Sequence, residues 1–94
     1  MYIVRESDHF RRECENLRAV GFELEGPLTA VHWALSNNPY AYPPIETSKG
    51  AVRRLTTRGH KRRDGIEMPP FYFWFIIIED DLIVYLKHIE FLTF

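Results

Sequence analysis

Apolar residues along the first third of the chain recur every three or four positions. Phe10, Cys14 and Leu17 line one face of an amphipathic helix. Ser7 is placed to cap it, Asp8 to favour its positive end and Gly21 to close it. Leu28, Val31 and Leu35 repeat the spacing in "GPLTAVHWALSNNP", with Pro27 in the first turn and Pro39 beyond the last. Elsewhere the pattern belongs to strands. "MYIVR" is a short β-prone run, and the Val and Thr of "AVRRLTTR" suit a pleated surface. "FYFWFIII" and "LIVYLKHIEFL" are the strongest strand candidates, joined by a tight acidic turn at Glu79, Asp80 and Asp81. Between the second helix and these strands lies "NPYAYPPIETSKG", whose three prolines read as a linker without regular structure.

The expected order is β-α-α-β-β-β in one domain, residues 1–94. This is an α+β fold with a short N-terminal strand, two helices and a C-terminal antiparallel three-strand meander. The strand at 71–78 is apolar on both faces: Phe71, Phe73, Phe75 and Ile77 on one, Tyr72, Trp74, Ile76 and Ile78 on the other. A strand wet on one side would alternate apolar with polar. It is therefore expected at the centre, with the helices on one face of the sheet. The linker, a second subunit or a ligand would cover the other.

Composition narrows the class. With 46% hydrophobic residues the chain has enough apolar material for a core, which excludes wholesale disorder. The longest apolar run is 71–78, far short of the roughly 20 residues that span a bilayer as a helix. The lone Cys14 and an N-terminus without signal-peptide character lead to the expectation of a soluble protein in the reducing cytoplasm, with no membrane partner.

Charge changes the picture more. The net charge is −1, yet residues 49–63 hold seven Lys and Arg and no acid. Such asymmetry points to a polyanionic partner. Arg53, Arg54, Arg58, Lys61, Arg62 and Arg63 are the candidate nucleic-acid-binding residues, because arginine forks grip phosphate and displace its counterions. The alternatives are a solvated sheet edge and a docking site for an acidic protein segment. His60 and His88 are candidate proton carriers for attack of a 2′-hydroxyl on phosphate, with Arg58 stabilising the charge that develops. Glu90, two residues after His88 on the same strand face, is a candidate to orient its imidazole. Taken singly, each histidine is more often a bystander. Tyr72 and Trp74 could stack bases, although an aromatic pair on a central strand is more often core. No CxxC or HExxH spacing occurs, so neither a metal nor another cofactor is expected.

The element order and the hairpin "YFWFIIIEDDLIVYLKHIE" resemble the RelE/ParE toxins of bacterial type II toxin–antitoxin systems. The resemblance implies a cognate antitoxin as partner, and either ribosome-dependent mRNA cleavage or inhibition of DNA gyrase. Arg53, Arg54, Arg58 and Lys61 would supply the cations and His88 the last-strand proton carrier. The match is incomplete. The arginine frequent near the start of the family's third strand falls near Tyr72, and a His-Tyr type ending near Glu90-Phe91. Fold is therefore carried over more firmly than activity. The leading expectation is a toxin acting as an mRNA endoribonuclease, a hydrolase-type RNA-binding enzyme. The alternatives are a gyrase-inhibiting or inactive family member, and a non-enzymatic module that forms a homodimer.

Overall fold

Three phenylalanines on one side of a single strand organise the molecule. In the computed structural model, which describes residues 1–48 and 50–92, Phe71, Phe73 and Phe75 are each fully buried. Burying such a ring contributes about 1.5–3 kcal/mol. Their strand, Phe71–Ile78, is the sixth of seven among the described residues. The others are β1 (Ile3–Glu6), β2 (Pro44–Thr47), β3 (Gly50–Thr56), β4 (His60–Lys61), β5 (Glu67–Met68), β6 itself and β7 (Ile83–Phe91), with helices α1 (Asp8–Ala19) and α2 (Glu25–Asn37) between β1 and β2. Five strands form a mixed sheet in the order β1-β7-β6-β3-β2, antiparallel except that β1 runs parallel to β7. The architecture is α+β, with β6 interior to the sheet.

The helices arise where the apolar spacing places them. Ser7 caps α1, its hydroxyl accepting from the Phe10 amide at 3.0 Å, a bond whose loss costs about 1 kcal/mol. At the other end Gly21 takes φ +100°. Its amide donates to the Arg18 carbonyl and that of Phe22 to Leu17, so two orphan carbonyls are satisfied. Phe10 and Cys14 from α1, and Val31 and Leu35 from α2, join Leu55, Phe71, Phe73, Phe75, Val84, Leu86 and Ile89 in one core. The helices thus pack on the phenylalanine face.

Two expectations are corrected. The proline-rich segment is not free of regular structure: a 3₁₀ turn at Pro39–Ala41 leads into β2, which pairs with β3. Pro44 is compatible with this because β2 is an edge strand, where one side needs no amide donors. The segment also does not fold over the open face. Tyr42 packs edge-on against Phe75, 6.2 Å between centroids, and so extends the helix-side core. Beyond β3 the chain is also paired. β4 and β5 pair as a small ribbon, turned at Gly65 (φ +87°) with the Asp64 carboxylate accepting from the Ile66 amide. Lys49, first cation of the basic stretch, lies outside the described residues.

Candidate functional site

Strand parity sends Tyr72 and Trp74 away from the phenylalanines, onto the face to which neither helix contributes. Both are half-buried and lie outside the core, so they do not follow the commoner fate of a central aromatic pair. Pairing across three strands then builds two neighbouring rows. One row is Arg54–Trp74–His88 and the next is Thr56–Tyr72–Glu90. With strands spaced at about 4.8 Å, each row spans roughly 10 Å between outer backbones.

The rows are tied together by their side chains. The Arg54 guanidinium lies 4.2 Å from the Tyr72 ring centroid and 5.4 Å from that of Trp74. Such stacking holds an arginine while leaving its N–H fork free for an anion. The Trp74 indole donates to Glu90 Oε1 at 3.0 Å.

His88 reaches this face through an irregularity. Pairing shifts between Trp74 and Phe75, leaving Lys87 as the extra residue of a bulge in β7. Without it, His88 and Glu90 would continue the parity of buried Val84 and Leu86 and point into the core. The bulge resets the alternation so that Ile89 turns inward instead.

β1 ends opposite Leu86, so the rest of β7 has a free edge. Glu13 of α1 caps that edge, with Oε1 accepting the Ile89 amide at 3.2 Å and Oε2 lying 2.6 Å from His88 Nδ1. A carboxylate facing Nδ1 requires the hydrogen there, so in the neutral ring Nε2 is the acceptor. Nε2 lies 3.7 Å from Glu90 Oε2. Glu90 therefore stands beside His88, as its strand position implies, but Glu13 is the carboxylate that orients the ring. Nothing in the local sequence around His88 reveals this partner, since it comes from a helix 75 positions away.

His9 adds to the same corner. It sits one helical turn before Glu13, its Nε2 is 3.3 Å from Glu13 Oε1, and its ring stacks on His88 with centroids 6.0 Å apart. One ligand-type atom from each of His9, Glu13 and His88 lies within 4.8 Å of the others.

The basic residues divide by surroundings. Arg53 points to the face opposite Arg54, as strand parity implies, where it donates to the Tyr42 carbonyl at 2.6 Å and covers the Tyr40 ring. Arg62 is ion-paired with Asp64 at 3.0 Å and approaches Glu23 at 3.8 Å. Arg58, Lys61 and Arg63 are exposed, and among the described residues none has an ion pair. They stand on or beside the ribbon that links the end of β3 to the start of β6, at the Tyr72–Glu90 end of the open face. His60 lines a shallow groove with Lys61, Glu67, Pro69 and Pro70, in a sheet separate from the one that carries His88.

Comparison with known proteins leaves this arrangement to stand on its own geometry: no family model matches the chain, and no curated protein matches it in sequence.

Proposed function

We propose that this chain is a RelE/ParE-like toxin that binds RNA on its open sheet face and cuts translating message. The observation that carries the reading is the pair of cross-strand rows, which puts a stacked arginine, two aromatic rings, an oriented histidine and a carboxylate on one surface. The α+β order of strand, two helices and antiparallel hairpin supports the family resemblance.

Each group has a role that its chemistry suits. Tyr72 and Trp74 offer rings on which unpaired bases stack, worth about 1–3 kcal/mol per base. Arg54 holds the scissile phosphate, and Arg58, Lys61 and Arg63 hold its neighbours along the strand. His88 Nε2 takes the proton of the 2′-hydroxyl, whose oxygen bonds to phosphorus as the bond to the 5′-oxygen breaks. His60, carried on the separate β4–β5 ribbon beyond that end of the sheet, is assigned the proton donated to that leaving oxygen. The products are a 2′,3′-cyclic phosphate and a 5′-hydroxyl. Glu13 positions the base without touching substrate.

The test is mRNA cleavage in a purified bacterial translation system, mapped by primer extension. New 5′ ends that need translating ribosomes are expected with the wild type. They should be lost in Arg54→Ala and His88→Ala variants that circular dichroism shows to be folded. Intact message with arrested translation would replace cutting by ribosome binding alone. Message and translation both untouched would overturn the RNA reading and turn attention to gyrase or a protein partner.

A further inference from the structure

The corner where α1 meets the free edge of β7 is more than a support for one imidazole. We propose that His9, Glu13 and His88 form a binding site for a divalent transition-metal ion of the zinc type. The site has three protein ligands and a fourth position open to water.

The argument begins with donor chemistry. Two imidazoles and one carboxylate are a ligand set that suits zinc, and three protein ligands with an open position is the arrangement of exchangeable or reactive zinc rather than of closed structural sites. Geometry comes next. Zinc holds nitrogen and oxygen at about 2.0–2.2 Å, so tetrahedral ligands lie roughly 3.3 Å apart. His9 Nε2 and Glu13 Oε1 are already at 3.3 Å. His88 Nδ1 lies 2.6 Å from the other carboxylate oxygen, Oε2, so a shared ion needs a small turn of the Glu13 carboxylate, and one donor atom from each residue already falls within 4.8 Å of the others. His9 and Glu13 are one turn apart on α1, so their side chains leave the same helix face.

Surrounding groups add support that the ligand trio does not contain. A metal-bound histidine commonly gives its other ring N–H to a carboxylate, which fixes the ring and raises its basicity. With an ion on Nδ1 the hydrogen of His88 sits on Nε2, and Glu90 Oε2, 3.7 Å from that atom and so just beyond hydrogen-bond length, is the carboxylate placed to close on it. Glu13 is itself held by the Ile89 amide. The rim is open to solvent, with the His9 side chain 62% exposed, so an ion has a direct path in.

Binding has a defined proton balance: the ion takes the place of the hydrogen on His88 Nδ1, and in the neutral ring that hydrogen moves to Nε2. The site stands independently of the RNA reading. In a chain that also cleaves RNA, metal and cleavage exclude each other, because Nε2 then carries hydrogen and cannot act as base.

The deciding experiment contains no RNA. Metal-free wild-type protein is titrated with zinc sulfate by isothermal calorimetry, and with cobalt as a spectroscopic stand-in. One ion per chain is expected, with the visible absorption of tetrahedral cobalt. His9→Ala should weaken binding at least about tenfold and erase that absorption, and Glu90→Gln should weaken it by about tenfold. His60→Ala should bind as the wild type does. Because His9 is exposed, its variant keeps the fold and remains informative even where Glu13→Gln unfolds. Absence of zinc binding by the wild type, or binding indifferent to His9→Ala, would overturn the site.

Discussion

Glu79 shows how much one surface side chain can tie together. Its Oε2 accepts the Tyr2 hydroxyl at 2.8 Å and also that of Tyr40, joining the start of the chain, the segment after α2 and the β6–β7 turn. The Tyr40 and Tyr2 hydrogen bonds hold the carboxyl below its ordinary 4.5, while the bond to Glu79, with desolvation, pushes Tyr2 up to about 12. A depressed carboxyl contributes stability that is present above the unfolded value and lost as pH falls through the folded one. The raised tyrosine contributes below its ordinary 10.0 and loses that as pH rises toward about 12. Urea midpoints measured from pH about 7 down to 3 should therefore fall less steeply for Glu79→Gln than for the wild type. Equal slopes would show that the tyrosine bonds do not outlast solvent competition at this exposed site.

At the scale of elements, the bulge in β7 decides what the open face contains. Buried positions run Val84, Leu86, Ile89, a step of two followed by a step of three. That uneven spacing was the signal in "LIVYLKHIEFL" that a continuous strand did not account for. Deleting Lys87 would restore simple alternation with Leu86 and Ile89 still inward and His88 and Glu90 still on the open face, because the residue removed is the unpaired one. The deletion variant should therefore remain folded, with cooperative thermal melting and a near-ultraviolet dichroism like the wild type's. Lys87→Ala keeps the residue count and should stay within about 0.5 kcal/mol of wild type. A molten deletion would mean that the local twist of the bulge, and not the facing of its neighbours alone, is needed for packing. β2 and the β4–β5 ribbon carry little signal in the sequence for a related reason. Their pairing rests on edge position and on turns at Gly50 and Gly65, not on apolar periodicity.

Over the whole molecule, the positive charge compact in sequence is dispersed in space. Arg53 faces the helix side and Arg62 is ion-paired, while Arg54 is stacked on the open face and Arg58, Lys61 and Arg63 project from its end. Only the last four are disposed to displace counterions from a nucleic acid strand. Each alanine replacement at Arg58, Lys61 or Arg63 should reduce the slope of log affinity against log salt for single-stranded RNA by about 0.7. Arg53→Ala and Arg62→Ala should leave the slope unchanged and lower stability instead. A slope that shifts equally for all five would return the patch to an undivided cloud of charge. The far end of the same face is different in character, with Ile3, Ile83 and Ile78 aligned across three strands.

By itself, the sequence determined the elements whose signal is local. Ser7 and Gly21 bound the first helix, its apolar stripe and that of the second lie at helical spacing, and Phe71–Ile78 is a strand too apolar to sit at a wet edge. Local propensity and periodicity act over a few residues, so they can be read without neighbours. The tertiary structure alone decided which side chains meet. β1 pairs with β7 across some 80 positions, Glu13 takes hold of His88, and Arg54 finds two rings on the next strand. Those contacts depend on strand register, which around His88 includes the bulge at Lys87. Register is set by how the whole core packs, because shifting a strand by one residue exchanges its two faces.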